Sequence, residues 1–326
     1  TLALGTAVAA IDAKQKTLKT AEGASYGFGE LLLATGGAPR RLSIPGGDLE
    51  GITYFRTLDD YLKLRKQSDE GGKAALVVGG GFIGSELAAA MHTRGVAVTM
   101  VFPEAYLVSR IFPSSLGSAI QERYRARGIT VLNNDAPVAF EKRGARYVTR
   151  TKSGKTIETD MVVAGIGIAP SLDLARRAGL QTADGIIVDE HLQTSLPDIS
   201  AAGDNAFFPY NALGKQMRIE HWDNAVNQGK WAGRNMAGDG RPYDYMPYFF
   251  SDLFEFGFEA VGEVDARLDT FADWKKENDT GVIYYLKNGV VRGAMMCNVW
   301  DKVPAARDMI RSNEKVTKES LRGRIY

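Results

Sequence analysis

Three glycines at fixed spacing are the residues in this sequence that most directly indicate ligand chemistry. Gly79, Gly81 and Gly84 form the pattern G-x-G-x-x-G inside the stretch ALVVGGGFIGSELAAAMHTRGVAVTMVFPE. In such a turn the first glycine allows a tight bend, the second lets the backbone approach a pyrophosphate, and the third lets a helix pack close to a strand. A helix that begins at about Phe82 would also point its N–H groups at the phosphates. The spacing therefore predicts a dinucleotide site.

The segments on either side of the glycines have the patterns that such a site requires. AALVV predicts a buried strand, SELAAAMHTRG a helix, and VAVTMVFPE a second strand that ends at Glu104. A carboxylate 20 positions after Gly84 can accept hydrogen bonds from the ribose hydroxyls of the adenosine half. It would repel the 2′-phosphate of NADPH, so Glu104 favours NADH. The competing interpretation is a solvated glutamate on a loop.

Two further strand ends, one before and one after this unit, have the composition of ligand-binding turns. LLLATGGAPR and LPDISAAGDNAFF each run from an apolar strand into small residues and then a polar group. Small residues at a strand end let a large planar or phosphorylated ligand approach the backbone. Asp204, directly after Gly203, is placed to accept a hydrogen bond from a polyol hydroxyl. Either stretch alone would be interpreted as an ordinary turn.

Bulk composition narrows the classes of function. The 326 residues carry 40 Lys+Arg against 39 Asp+Glu, a net charge of +1, and no basic block that would indicate a nucleic-acid partner. No apolar run approaches the about 20 residues of a membrane-spanning helix. The single cysteine, Cys297, suggests a reducing, cytoplasmic compartment and is expected to be a buried packing residue. The three histidines are far apart in sequence, so no metal site is expected.

Local patterns predict several elements whose positions the structure can test. Thr57 is expected to cap a helix over TLDDYLKLRKQSDEGG, and Asn288-Gly289 is expected to form a hairpin turn. VPAARDMIRS and VTKESLRGR are predicted as helices, as is HWDNAVNQGKWAGRNMAG, in which Trp222 and Trp231 are expected in the core. The first 20 residues lack the features of a signal peptide and are expected to come from the middle of a β-rich domain.

The order of the motifs ATGG, GGGFIG, Glu104, GIGIAP and AAGD resembles that of the FAD-dependent pyridine nucleotide–disulfide oxidoreductase superfamily. RIEHWDNAVNQGKWAGRNMAG and YFFSDLFEFGFEAVGEV resemble its apoptosis-inducing factor branch, which is related to bacterial ferredoxin reductases. The resemblance implies an α/β fold in which a Rossmann-like NAD-binding domain (46–169) is inserted in an FAD-binding domain (1–45 and 170–242). An α+β C-terminal domain with an antiparallel sheet, of the interface or dimerisation type, is expected over 243–326.

The resemblance also implies which residues form the site. The NADH site is expected to be lined by Gly79, Gly81, Phe82, Ile83, Gly84, Glu86, Glu104, Arg110 and Gly167. FAD contacts are expected from Arg40, Gly203 and Asp204. Near the reacting rings we expect Phe250 as the nicotinamide platform, His221 as a group that responds to charge on the flavin, and Glu220 as a nicotinamide partner. The competing interpretations are a core aromatic, a surface histidine and a helix-start carboxylate.

Three departures from the family pattern bear on function. The family's first βαβ unit, which holds the ADP half of FAD, has no counterpart in these residues, so the chain as it stands is expected to bind FAD poorly while its NAD unit remains folded. Phe249-Phe250 replaces the family's Phe-Trp pair, and Phe250 offers less stacking area and no indole N–H. The long C-terminal insertion of the animal proteins is absent, which argues against a transfer of their apoptotic and DNA-binding roles.

The function implied by the resemblance is an NADH-dependent FAD oxidoreductase that transfers a hydride from NADH to the flavin. The onward acceptor is expected to be an electron-acceptor protein or a small quinone-like molecule. One alternative is the reductase component for a small ferredoxin or rubredoxin. Another is a redox-responsive interaction protein that forms a homodimer on binding NADH, with little turnover.

Overall fold

The computed structural model describes residues 1–326, which contain six α-helices, 23 β-strands and two short 3₁₀ turns. The helices are α1 (Leu58–Asp69), α2 (Phe82–Thr93), α3 (Ser114–Ala126), α4 (Asp173–Arg177), α5 (Trp222–Met236) and α6 (Val303–Ser312). The strands are β1 (Val8–Asp12), β2 (Thr17–Thr20), β3 (Ser25–Gly27), β4 (Leu31–Leu33), β5 (Gly37–Pro39), β6 (Thr53–Tyr54), β7 (Ala74–Val78), β8 (Ala97–Val101), β9 (Thr130–Leu132), β10 (Pro137–Arg143), β11 (Arg146–Thr151), β12 (Thr156–Thr159), β13 (Met161–Ala164), β14 (Ile168–Pro170), β15 (Ile186–Ile187), β16 (Ile199–Ala201), β17 (Ala206–Tyr210), β18 (Lys215–Met217), β19 (Tyr248–Leu253), β20 (Phe256–Gly262), β21 (Asp269–Lys276), β22 (Thr280–Lys287) and β23 (Val290–Cys297).

The chain forms two compact units, each made from two stretches of sequence. Unit 1 contains Thr1–Ala38 and Ala169–Phe249, and unit 2 contains Pro39–Ile168 and Phe250–Tyr326. The division into three domains with the boundaries given above stays a prediction.

A five-stranded parallel sheet, in the order β6-β13-β7-β8-β9, forms the first half of unit 2. Its central strand β7 is apolar throughout, and Leu76, Val77 and Val78 are all buried. An unbroken apolar run of this kind is typical of a parallel strand that is covered on both faces. Helix α2 contacts β7 and β8 and buries Ala88 and Met91 from its sheet-facing side. The Rossmann-like arrangement predicted from the sequence is therefore confirmed.

The second half of unit 2 is a five-stranded antiparallel sheet in the order β19-β20-β23-β22-β21. The turn between β22 and β23 consists of Asn288 and Gly289 with φ of 55° and 76°, the positive values that a two-residue hairpin requires. Helix α6 contacts β20 and β23. Cys297 is completely buried in this sheet, and burial raises the pKa of its thiol. The predictions of an Asn-Gly hairpin and of a packing cysteine are both confirmed.

Unit 1 consists of small sheets and two helices. Strands β1, β2 and β3 form an antiparallel sheet, β4 pairs in parallel with β16, and β15, β17 and β18 form a third sheet. Helix α5 contacts β16 and buries Asn224, Gln228 and Ala232, which are four residues apart along one face. The short strands β5 and β14 pair with each other.

Local predictions were confirmed at some positions and wrong at others. Thr57 caps α1 in a reciprocal capping box with Asp60, as predicted. VTKESLRGR forms only a 3₁₀ turn at Glu319–Leu321, because the backbone becomes extended at Arg322 and takes a φ of 68° at Gly323. Trp222 is 72% exposed instead of buried, because it lies at the first turn of α5, outside the stripe that faces β16. None of the six helices combines the length and apolar character that a bilayer span requires.

Candidate functional site

The glycine turn of unit 2 lies at the carboxyl end of the central strand of the parallel sheet. Strand β7 pairs in parallel with β8 on one side and with β13 on the other. Gly79, Glu104 and Gly167 follow these three strands, so the three residues belong to the same edge of the sheet. Ligands of open parallel sheets bind in the crevice at this edge.

The glycines leave room for a ligand at one position and none at the others. Gly79 has a φ of +116°, and a Cβ atom on it would collide with the carbonyl oxygen of Gly165. A Cβ atom on Gly84 would collide with the carbonyl oxygen of Gly79. On Gly81, the residue that precedes α2, a Cβ atom would meet nothing within 4 Å. The turn is therefore closed by packing at both ends and open in the middle, which fits a pyrophosphate against the start of α2.

The loop after β8 contacts this turn through its backbone. Val108 has a φ of 54° and donates its N–H to the carbonyl of Gly80 at 2.7 Å. The carbonyl of Glu104 accepts a hydrogen bond from the N–H of Asn134 at 3.0 Å, and Glu104 is exposed to solvent. Arg110 is also exposed, and its carbonyl accepts the N–H of Ala266 at 2.9 Å. The loop thus brings two predicted NADH residues to the same edge as the glycines.

Arg40 and Gly167 are neighbours, although the sequence assigned them to different cofactors. The N–H of Arg40 donates to the carbonyl of Gly167 at 2.9 Å. Gly167 has a φ of +91°, and a Cβ atom there would lie 3.9 Å from Cδ of Arg40. Gly165, which was not among the residues predicted from the sequence, packs against the start of α2. A Cβ atom on it would lie 2.9 Å from the N atom of Gly84 and 3.0 Å from Cγ2 of Ile83. The available signal was the first glycine of GIGIAP.

Glu86 and Phe82, both in the first turns of α2, face the C-terminal sheet of the same unit. The ring of Phe82 lies 6.0 Å from that of Phe258 on β20. The carboxyl of Glu86 accepts a hydrogen bond from the hydroxyl of Ser251 at 2.5 Å. Glu86 as a whole residue is exposed, but desolvation of its carboxyl group raises the pKa of that group. The hydrogen bond from Ser251 lowers this pKa, whereas the negative charge of Asp252 raises it further. Ser251 was not foreseen from the sequence.

In unit 1 the structure joins the two strand ends that the sequence singled out. Leu33 at the end of β4 pairs with Ala201 at the end of β16. The side-chain amide of Asn205 donates to the carbonyl of Leu33 at 3.1 Å and to the hydroxyl of Thr35 at 2.9 Å. The two stretches LLLATGG and ISAAGDN therefore form one edge, held by a buried asparagine.

The residues around Gly203 fit the polyol and ring half of a flavin nucleotide. Gly203 has a φ of +87° and donates its N–H to the side-chain oxygen of Gln228 at 2.8 Å. Asp204, which follows it, is partly exposed and carries the acceptor that a polyol needs. Two fully buried atoms beside it, Oδ1 of Asn205 and Nε2 of Gln228, have no hydrogen-bond partner in the protein. Neither Asn205 nor Gln228 was foreseen, although Gln228 could have been found as a polar residue on the buried face of α5.

Glu220 and His221 are positioned by different neighbours within unit 1. Arg218, which was also not predicted from the sequence, donates to the carboxylate of Glu220 and, at 3.2 Å, to the carbonyl of Asp204. His221 precedes α5, and its ring stacks on Phe249 with centroids 4.2 Å apart. Burial lowers the pKa of His221 to about 4, so its imidazole is neutral at physiological pH. Phe250, in unit 2, is 58% exposed.

Comparison with known proteins agrees with these features. Residues 1–229 match the pyridine nucleotide-disulphide oxidoreductase family, and residues 232–280 match the C-terminal family of mitochondrion-associated apoptosis-inducing factor. Monodehydroascorbate reductase 2 of Arabidopsis thaliana is 33% identical over 341 residues, which cover 98% of this chain and 78% of that protein. Mitochondrial apoptosis-inducing factor 1 of Dictyostelium discoideum is 33% identical over 317 residues, which cover 91% of this chain and 59% of that protein.

A solved structure shows the same fold. The ferredoxin reductase for the CYP199A2 system of Rhodopseudomonas palustris superimposes with a TM-score of 0.90 and 31% identity, over 97% of this chain and 78% of that one. The α/β fold and the family resemblance predicted from the sequence are confirmed. The chain belongs to the pyridine nucleotide–disulphide oxidoreductase family, whose members are oxidoreductases that use FAD and NAD(P)H.

Proposed function

We propose that this protein is an NADH-dependent flavoprotein oxidoreductase that reduces FAD with NADH and passes the electrons to a separate acceptor. The observation that supports this most strongly is the glycine turn of unit 2, which is closed at Gly79 and Gly84 and open at Gly81. Its position at the carboxyl edge of a parallel sheet, followed by the start of a helix, is the arrangement that binds dinucleotides.

The preference for NADH over NADPH is proposed from Glu104. The residue follows β8, next to the strand that carries the glycine turn, and its side chain is exposed. A carboxylate there can accept hydrogen bonds from both free ribose hydroxyls and would repel a 2′-phosphate.

In unit 1, FAD when bound supplies the redox chemistry, because its isoalloxazine ring accepts the hydride. Asp204 is proposed to hold the ribityl chain and Gly203 to let it approach the backbone. His221, kept neutral by burial and held against Phe249, is proposed to place an uncharged imidazole near the ring. Glu220 is proposed to be held by Arg218, which bonds to both Glu220 and the backbone of Asp204.

Two kinds of electron acceptor are proposed as candidates, a small iron–sulfur protein and a small organic molecule. The solved structure with a TM-score of 0.90 is described as a ferredoxin reductase, which supports an iron–sulfur protein as the acceptor. The relative described as a monodehydroascorbate reductase supports a small organic acceptor instead. A ferredoxin-type partner predicts that cytochrome c reduction by the enzyme depends on added ferredoxin, whereas an organic acceptor predicts turnover with a quinone or an ascorbyl radical alone.

The experiment that tests the proposal is anaerobic reduction of FAD by NADH in the presence of the chain. Because these residues are expected to bind FAD poorly, FAD is supplied in excess, and its binding is first shown by equilibrium dialysis. NADH is then expected to bleach the visible flavin absorption, while NADPH at the same concentration is expected to act far more slowly. Bound FAD that stays oxidised with NADH would contradict the proposal. If NADH instead increases the sedimentation coefficient without turnover, the alternative of an NADH-responsive homodimer is supported.

A further inference from the structure

Strand β19 carries two residues that face opposite ways, Ser251 and Phe250, and Phe250 is the residue expected to be the nicotinamide platform. Along this strand Ser251 is buried, whereas Phe250 and Asp252 are exposed. Neighbouring residues of a strand point to opposite faces, so the strand buries the Ser251 hydroxyl while it presents the Phe250 ring to solvent. The position of Ser251 therefore fixes that of Phe250.

The buried hydroxyl is bonded to the helix that forms the dinucleotide cradle. Ser251 donates to the carboxyl of Glu86 at 2.5 Å, and Glu86 is the fifth residue of α2. Glu86 is thus little more than one helical turn from Gly81, where the pyrophosphate is proposed to bind. The hydrogen bond connects the strand that carries the proposed nicotinamide platform to the helix that carries the proposed phosphate site.

The turn that follows β19 holds the same strand in place. Phe254 has a φ of 59°, a left-handed conformation that is unfavourable for a bulky residue. Its ring packs edge-on against Tyr124 at 5.0 Å and His92 at 6.1 Å, and the guanidinium of Arg127 lies 4.6 Å above it. Arg127 also pairs with Glu255. Because the turn is anchored by these contacts, the Ser251–Glu86 bond has a fixed strand on one side and a fixed helix on the other.

We propose that Ser251 is a positioning residue for the nicotinamide half of NADH. Its hydroxyl holds the Glu86 carboxyl in one orientation and sets the separation between the Phe250 ring and the glycine turn. This inference rests on the proposed function, since it takes the glycine turn as the pyrophosphate site and Phe250 as the nicotinamide platform. It predicts that Ser251 contributes to binding of the nicotinamide half and not to binding of the adenosine half.

The test compares NADH with ADP-ribose, which has the adenosine and pyrophosphate groups but lacks the nicotinamide. Ser251→Ala removes the hydrogen bond that holds the Glu86 carboxyl. The variant is therefore expected to bind NADH about three- to tenfold more weakly and to bind ADP-ribose as the unmodified protein does. Ser251→Thr, which keeps the hydroxyl and suits a strand, is expected to restore NADH affinity. Ser68→Ala, another buried serine of unit 2, is the matched control and is expected to change neither affinity.

A double-mutant cycle separates positioning from general damage. If Ser251 acts through Glu86, Ser251→Ala has no further effect on NADH binding once Glu86→Ala is present, because the two residues act as one unit. Equal losses of NADH and ADP-ribose binding in Ser251→Ala, or additive effects in the cycle, would overturn the inference. Failure of ADP-ribose to bind the unmodified protein would instead contradict the proposed function, so the two failures are distinguishable.

Discussion

The imidazole ring of His221 lies parallel to the phenyl ring of Phe249, with centroids 4.2 Å apart and planes 12° apart. This stack holds the residue that precedes α5 against the second residue of β19, and both residues belong to unit 1. Burial keeps the imidazole neutral, because the charged form would lose its hydration.

Acid should destabilise the protein through His221. Its folded pKa of about 4 lies below the unfolded value of about 6.5, so the unfolded state binds a proton first as pH falls. The free energy of unfolding is therefore expected to be intact above about pH 6.5 and to fall between that value and about pH 4. Between about pH 7.5 and about pH 5 the loss from this group is about 2 kcal/mol.

Urea denaturation of the unmodified protein and of His221→Phe at both pH values measures this loss. Phenylalanine keeps the stack and cannot titrate, so the variant is expected to be less sensitive to acid than the unmodified protein. Equal sensitivity in the two proteins would show that His221 is not the titrating group.

Substitutions at two of the three glycines of the turn are expected to have separate effects on stability and on NADH binding. Gly84→Ala should lower stability by about 1–3 kcal/mol, because its Cβ atom would overlap the carbonyl of Gly79.

Gly81→Ser should leave the melting temperature unchanged or raise it, since serine is a good N-cap residue and has open space around it. The same serine should weaken NADH binding about tenfold or more, or about 1.4 kcal/mol. Thermal melts and calorimetric NADH titrations measure both effects, and normal NADH affinity in Gly81→Ser would place the pyrophosphate elsewhere.

Removing the charge of Glu104 is expected to relax the choice of cofactor. Glu104→Gln keeps the size of the side chain but no longer repels a 2′-phosphate, so the ratio of NADPH to NADH affinity should rise about tenfold. Glu158→Gln, which removes an exposed carboxylate of unit 2 from β12, is the control. Titration of each variant with the two cofactors gives the ratio, and the same ratio in both variants would mean that Glu104 is only a solvated loop residue.

Gln228 is expected to couple the stability of unit 1 to FAD binding. Gln228→Leu leaves the N–H of Gly203 buried without its acceptor, which should cost about 1–3 kcal/mol. Because Gly203 precedes Asp204, FAD affinity should fall as well. Gln216→Leu, on the exposed surface of β18, should change neither quantity. Urea denaturation and equilibrium dialysis against FAD provide the measurements, and unchanged FAD affinity in Gln228→Leu would separate Gln228 from the flavin site.

The parts of the fold and site that follow from neighbouring residues could be predicted from the sequence. The glycine turn, the Thr57 cap and the Asn288-Gly289 hairpin each depend on residues within a few positions of one another, so their geometry is contained in a short stretch. The exposure of Trp222 could not be predicted, because it depends on which face of α5 meets β16. The three-domain boundaries and the roles of the site residues stay predictions.

Contacts across long sequence separations were beyond local patterns. Ser251 and Glu86 are 165 residues apart, and Asn205 lies 172 residues from Leu33. Both pairs form only when separate strands and helices pack together. No local sequence pattern therefore identifies the partner of Ser251 or of Asn205. The sequence indicated Phe250 as a ring near the cofactors but gave no role to Phe249, because the stack of Phe249 on His221 depends on tertiary packing.

The most direct test of the central claim is a stopped-flow measurement of FAD reduction by NADH under anaerobic conditions. NADH with deuterium at the transferred C4 position is compared with ordinary NADH. If the protein transfers a hydride from NADH to bound FAD, loss of the visible flavin band is expected to be fast with NADH and measurably slower with the deuterated cofactor. Flavin that remains oxidised while NADH is demonstrably bound would contradict the account.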